Sequence, residues 1–153
     1  MKSITAIVGI PVLAICLSIS VYNIASSAAM NAKNPNDVII IAHPDLQESL
    51  SRQDIKRIFL NKRKLWDDNR VITFAMLKDN DVHTNFLRDF VHKTPSQYRC
   101  YFRRLVFTGK GRPPKMFDSR QRLVEFVSKN AGAIGYVPAG TDIGNARAIE
   151  LEE

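Results

Sequence analysis

The sequence has few of the residues that build disulfide frameworks. Only two of its 153 residues are cysteine, and one of these, Cys16, lies in an apolar N-terminal run. A chain that loses this run would retain Cys100 alone and could not form an internal disulfide. Its stability would then have to come from a hydrophobic core.

Motifs of the common enzyme classes are also missing. The chain has no G-x-S-x-G elbow, no P-loop and no cysteine and histidine pair suited to act as nucleophile and base. His43, His83 and His92 lack the i, i+4 spacing of a helical metal site, and the adjacent Asp67 and Asp68 suit a turn better than a catalytic pair. We therefore predict a protein that is not an enzyme and that uses no cofactor or metal.

The N-terminal segment has the composition of an export signal. A short positively charged start precedes an almost wholly apolar run at residues 4–21, and small residues follow at 25–29. We predict a signal peptide over residues 1–29 and one mature domain over residues 30–153, located in the periplasm. The apolar run is also about long enough to span a bilayer, so an uncleaved membrane anchor is the alternative.

The chain is basic, with a formal net charge of +7, and its lysines and arginines occur in clusters. An exported protein does not meet DNA, and its aromatic residues follow apolar stripes instead of alternating with the basic clusters, so we predict no nucleic-acid partner. The clusters are either solvated faces or a surface for an acidic extracytoplasmic protein or an anionic envelope polymer. They comprise Lys62, Arg63 and Lys64; Arg99, Arg103 and Arg104; and Lys110, Arg112 and Lys115.

Hydrophobic periodicity predicts alternating strands and helices. Apolar runs predict strands at residues 37–42, 71–76 and 133–137, with a last short strand at 148–151. The predicted buried residues of four intervening helices are Ile55, Ile58 and Phe59; Val82, Phe86, Leu87, Phe90 and Val91; Tyr98, Tyr101, Phe102, Leu105 and Val106; and Leu123, Val124 and Val127. Alternation of this kind predicts an α/β fold with a mainly parallel sheet flanked by helices.

The third of these helices has the clearest boundaries. Thr94 is a suitable N-cap, Pro95 suits the first helical position, Gln97 completes a capping box, and Gly109 ends the helix. Three arginines and Cys100 fall opposite its apolar stripe. We interpret Cys100 as a small buried hydrophobe at a packed face; the alternative is an arginine-stabilised thiolate that forms mixed disulfides.

Three segments of the chain resemble, in the same order, segments of one known protein family. They are residues 50–62, Leu-Ser-Arg-Gln-Asp-Ile-Lys-Arg-Ile-Phe-Leu-Asn-Lys; residues 101–114, which end in Phe-Thr-Gly-Lys-Gly-Arg-Pro-Pro; and residues 132–137, Gly-Ala-Ile-Gly-Tyr-Val. Together they resemble short members of the phosphate ABC transporter substrate-binding protein family. The resemblance implies a shortened type 2 periplasmic-binding-protein-like fold. It also implies an exported protein that binds phosphate or a related anion and works with an ABC permease.

In this family, helix N-termini and glycine loops hold the anion between two lobes, where unpaired N–H groups favour negative charge. The resemblance therefore implies a binding loop that follows the third helix. Its residues are Thr108, Gly109, Lys110, Gly111 and Arg112, and the further candidates are Ser51, Lys78, Asn80 and Thr84. The alternative interpretation of the loop is structural, with a glycine C-cap and solvated basic side chains.

The sequence also departs from the family pattern at two loops. Receptors of full length have a glycine- and threonine-rich loop after the first strand and a Ser-Gly-Thr loop in the second lobe. In this chain residues 43–46 replace the first of these loops and residues 78–84 replace the second. Asp79 and Asp81, in the second segment, would repel an anion. The alternative function is a periplasmic interaction or scaffold module that keeps the fold but has lost phosphate binding.

Overall fold

The computed structural model describes residues 37–78 and 80–152, so the predicted signal peptide and Asp79 lie outside the described residues. Strands and helices alternate along this part of the chain. The strands are β1 (Val38–Ala42), β2 (Leu50–Ser51), β3 (Thr73–Leu77), β4 (Lys115–Phe117), β5 (Ala133–Pro138), β6 (Arg147–Ile149) and β7 (Leu151–Glu152). The helices are α1 (Arg52–Phe59), α2 (Asp81–Phe86), α3 (Pro95–Phe107) and α4 (Arg120–Lys129), and a π-helical turn, Leu87–Val91, continues α2.

Five of the strands form one twisted layer in the order β4-β3-β5-β1-β6. β3 runs parallel to β4 and β5, β1 runs antiparallel to β5 and β6, and β2 and β7 form a separate parallel pair. The sheet is thus mixed: four of its five strands run in the same direction, and β1 runs against them. Helices pack against it. This confirms the predicted α/β class with helices flanking the sheet.

The hydrophobic core lies where the four helices meet the central strands. The rings of Phe86 and Tyr136 stack with centroids 3.8 Å apart, and the Phe59 ring meets Phe86 edge-on at 4.6 Å. Trp66 Nε1 donates a hydrogen bond of 3.0 Å to the Gly132 carbonyl, which satisfies a buried indole N–H. Burial of these aromatic side chains supplies much of the stability that a chain without an internal disulfide requires.

Local capping contacts fix the helix starts, as predicted for the third helix. Ser51 and Asp54 form a capping box at α1, and Thr94 and Gln97 form another at α3. Ser119 caps α4. These boundaries depend on contacts between residues three positions apart, so they can be predicted from the sequence.

Three details of the prediction were wrong. Cys100 and Val106 are exposed, because only one narrow face of α3 contacts the core. The second strand begins at Thr73, since Val71 pairs outside the sheet with Leu65 and is 63% exposed. The predicted last strand at 148–151 divides into β6 and β7, which belong to different sheets.

Candidate anion-binding site

The predicted binding loop begins as the C-terminal cap of α3. The Gly109 N–H donates to the Val106 carbonyl and the Lys110 N–H donates to the Leu105 carbonyl, each at 3.0 Å. With Gly109 at a φ of 67°, this is a Schellman motif. The Thr108 N–H also donates to the Arg104 carbonyl at 3.1 Å, so three of the loop's N–H groups are engaged by the helix. The C-terminal end of that helix also bears the negative end of the helix dipole.

One side chain of the loop, Thr108, is hydrogen-bonded within the protein, and the two basic side chains, Lys110 and Arg112, are not paired with a carboxylate among the described residues. The Thr108 hydroxyl lies 3.0 Å from the Arg104 carbonyl and 3.2 Å from that of Leu105, so its proton is used within the helix. Lys110 and Arg112 are exposed, and neither has a carboxylate partner among the described residues. These two cations are therefore the groups of the loop that are best suited to bind an anion.

The end of α1 adds two groups that the resemblance did not indicate. Lys64 Nζ donates to the Lys110 carbonyl at 3.2 Å, and Asn61 Nδ2 donates to the same oxygen at 3.4 Å. Gly111 lies so close that a Cβ there would be 2.8 Å from Asn61 Nδ2. We call residues 108–112 together with Asn61 and Lys64 the loop site. The basic cluster at 62–64 was visible in the sequence, but its position beside the loop was not.

Ser51 lies at the start of α1, where the anion position is filled from within the chain. Its hydroxyl donates to Asp54 Oδ2 at 2.6 Å, and its main-chain N–H donates to the same oxygen at 3.2 Å. Hydrogen bonding from Ser51 holds the pKa of Asp54 below its ordinary value against the effect of partial burial. A carboxylate thus occupies the place where a phosphate oxygen would bind.

Lys78, Asn80 and Thr84 lie together at the carboxyl end of β3. Asn80 Oδ1 accepts from the His83 N–H at 2.8 Å, the Thr84 hydroxyl donates to the Asn80 carbonyl at 3.1 Å, and Lys78 Nζ lies 2.5 Å from Asp118. This edge of a parallel sheet is a common position for ligands. Here, however, each of the three side chains already has a partner.

The nine candidates therefore fall into three separate places. No hydrogen bond or ion pair in the described ranges links the loop site to Ser51 or to the Lys78 group. Of the three, the loop site has the most uncommitted positive charge.

A basic cleft lies between α1 and the π-helical turn, and the sequence analysis did not identify it. Its volume is about 550 Å³. The residues that line it are Arg52, Gln53, Lys56, Arg57, Leu60, Lys62, Asp89, Phe90 and His92. A helical repeat of basic residues at i, i+4 was its only sequence signal. A second depression, of about 480 Å³, mixes the basic Arg120 with Glu125 and Asp142 and has no such dominance of one charge.

Neither a metal cluster nor a membrane-spanning helix is present in the described ranges. Residues 37–78 and 80–152 contain no group of three histidine, cysteine or acidic side chains close enough to hold a metal ion. His83 is buried, with Nδ1 2.7 Å from the Tyr136 hydroxyl. None of the helices in this part of the chain is long and apolar enough to cross a membrane.

The fold is similar to those of phosphate receptors of known structure. Three of them are a phosphate ABC transporter substrate-binding protein with bound phosphate from Clostridium perfringens (TM-score 0.57, 17% identity), an ABC-type phosphate transport receptor from Vibrio cholerae (0.56, 15%) and PstS from Borrelia burgdorferi (0.55, 14%). The first two names describe binding proteins and not enzymes. At such identity the likeness concerns the fold alone, and it confirms the predicted periplasmic-binding-protein-like architecture.

The likeness covers 74% of this chain but only 44%, 45% and 46% of the three receptors, in the same order. The chain thus spans less than half the length of the receptors it matches. A scan against models of protein families finds no match, and a search of curated protein sequences finds no relative.

Proposed function

We propose that this protein is an exported, non-catalytic binding protein whose ligand is phosphate or a related oxyanion. The observation that supports this most directly is the fold likeness to three phosphate receptors. The N-terminal apolar run supports export. An ABC permease or another extracytoplasmic protein is the corresponding partner.

The loop site is the proposed position of the anion. Lys110 and Arg112 have no carboxylate partner in the described ranges, and Lys64 lies beside them, so three cations are close to the loop. Because the loop's first N–H groups are held by α3, the side chains would have to supply most of the contacts to the anion. Such a site is more open to solvent than one built from helix N-termini, so we expect weaker, salt-dependent binding.

The test is calorimetric titration of the full chain, in a nonionic detergent at low salt, with phosphate after exhaustive phosphate removal. Lys110→Ala and Arg112→Ala should each weaken binding about tenfold, which corresponds to about 1.4 kcal/mol. Lys129→Ala on α4, where the lysine pairs with Glu125 at 2.6 Å, is the matched control and should bind as the unaltered chain does. Absence of binding at millimolar phosphate would overturn the proposal.

A second candidate is an interaction module that keeps the fold without capturing phosphate. The specific observation in its favour is Phe107, which is 86% exposed at the end of α3. Val106 beside it is 44% exposed, and Arg103 lies one helical turn away. A large apolar side chain among cations is typical of a surface that a partner covers.

Photo-crosslinking in cells distinguishes the two candidates. A photoreactive residue at position 107 should capture one discrete partner if this surface docks, whereas the same residue at exposed position 129 should not. Equal labelling from both positions would remove the interaction hypothesis. Phosphate titration is unaffected by this outcome, so each candidate can fail independently.

A further inference from the structure

The basic cleft between α1 and the π-helical turn is separate from the loop site and differs from it in size. A volume of about 550 Å³ is far larger than one phosphate ion needs and lies in the usual range for pockets of organic or extended ligands. Its wall on the α1 side follows the helix from Arg52 to Leu60. At 1.5 Å per residue this wall is roughly 12 Å long.

The α1 wall concentrates positive charge along one side of the cleft. Arg52 and Lys56 are an i, i+4 pair of cations, and Arg57 and Lys62 extend the same basic surface. Like charges at this spacing repel each other and destabilise a helix. The helix dipole favours Lys56 and Arg57 in the last turn of α1 but disfavours Arg52 in its first turn. A row of cations that continues from Arg52 to Lys62 therefore points to an anion that binds it.

The chain neutralises this row only in part, through the Coulombic interaction of Arg57 with Asp54. Within the described residues, Lys56, Arg57 and Lys62 form no ion pair with a carboxylate. Asp89 supplies the one carboxylate in the lining, and Arg88 holds it through contacts of 2.7 and 3.1 Å. The cleft therefore retains a positive field that attracts negatively charged ligands.

Two of the cleft's basic groups are fixed before any ligand binds. The Arg52 guanidinium lies 4.7 Å from the centre of the Phe90 ring, and its Nη1 donates to the Asp89 carbonyl at 3.4 Å. His92 Nδ1 donates to the Arg88 carbonyl at 3.1 Å. Side chains held in place lose less entropy on binding, which favours affinity.

We propose that the cleft binds an extended polyphosphate-type anion, with successive phosphoryl groups contacting Arg52, Lys56, Arg57 and Lys62. A row of side-chain donors suits a ligand whose charges repeat along its length, and guanidinium groups bind phosphoryl oxygens through paired hydrogen bonds. The concave shape favours such a ligand over a flat membrane surface. This inference does not rest on phosphate binding at the loop site.

The test is titration of the full chain in nonionic detergent with tripolyphosphate, beside orthophosphate at equal concentration. Tripolyphosphate should bind at least about tenfold more tightly than orthophosphate. The double variant Lys56→Gln/Arg57→Gln should weaken tripolyphosphate binding about tenfold, and Lys62→Gln, just beyond the helix, should weaken it about threefold. Lys115→Gln on β4 is the control and should change it by less than about twofold.

The variants also have a readout that does not involve ligand. The double variant relieves the repulsion between Arg52 and Lys56 but loses two cations that the helix dipole favours, and these effects oppose each other. Its thermal midpoint without ligand should therefore stay within about 5 °C of that of the unaltered chain, so lost binding would not reflect lost folding. Three results would each overturn the proposal: equal affinity for tripolyphosphate and orthophosphate, equal weakening by Lys115→Gln, or equally tight binding of polyglutamate.

Discussion

The Tyr98 hydroxyl donates a hydrogen bond of 2.7 Å to the main-chain carbonyl of Phe59, and both groups are buried. Phe59 ends α1, so its carbonyl lacks an ordinary intrahelical partner. The same hydroxyl lies 3.2 Å from Met76 Sδ on β3. One side chain of α3 thus fixes the end of α1, from which both the loop site and the basic cleft extend.

Replacement of Tyr98 by phenylalanine should therefore destabilise the protein. Tyr98→Phe leaves a buried carbonyl without a partner, and we expect a loss of about 1–3 kcal/mol in the free energy of unfolding, measured by urea denaturation. Tyr101→Phe is the matched control, because its hydroxyl donates to the Leu60 carbonyl at 2.8 Å in a less buried position. A Tyr98→Phe effect no larger than that of the control would contradict this role.

The same tyrosine should make stability sensitive to alkaline pH. Burial raises the pKa of Tyr98 far above its ordinary value. The neutral form is favoured in the folded state, so its contribution is complete below the unfolded pKa of about 10 and declines as pH rises above it. Denaturation between about pH 9 and 11 should show a shallower alkaline decline in Tyr98→Phe than in the unaltered chain. Identical declines would refute this linkage.

The α1 capping box should contribute to stability at neutral pH and less in acid. Ser51→Ala should cost about 0.5–2 kcal/mol at pH 7. Hydrogen bonding from Ser51 lowers the pKa of Asp54, so this stabilisation is present above the unfolded pKa and is lost as pH falls through the lower folded value. The difference between variant and unaltered chain should narrow from about pH 4 to pH 2. A difference that is constant with pH would show that Asp54 is not involved.

Two glycines should respond differently to alanine. Gly109 has a φ of 67° with nothing near a Cβ, so Gly109→Ala should cost only the backbone strain, about 1–2 kcal/mol. At Gly132 the φ is 82° and a Cβ would lie 2.6 Å from the Val71 carbonyl oxygen. Gly132→Ala should therefore lower the midpoint of thermal unfolding by more than Gly109→Ala does. Equal effects would show that the close contact at Gly132 relaxes easily.

Cys100 should react in the folded protein. It is exposed on α3, so a thiol reagent should label it without denaturant at a rate close to that in the unfolded chain. Cys100→Ser should change the free energy of unfolding by less than about 0.5 kcal/mol. Protection from the reagent would restore the interpretation that this face is packed.

Local chemistry explains which parts of the fold could be predicted. The capping boxes at Ser51 and Thr94 involve residues three apart, and the buried residues of α1 repeat with the helical period. Both features depend only on residues that are near each other in the sequence. The antiparallel placement of β1 between β5 and β6 was not predicted, since pairing depends on contacts between residues about a hundred positions apart. Helical period also misplaced Val106, because α3 extends beyond the core at its C-terminal end.

The sequence by itself determined the helices, their caps, the apolar strands and the basic clusters, because these follow from period, composition and turn chemistry over short stretches. Only the tertiary structure decided what the basic residues are near. It placed Lys64 beside Lys110, committed Lys78 to Asp118, and brought α1 against the π-helical turn to form the cleft. Each of these depends on packing between distant segments, and charge acts through distance in space and not along the chain.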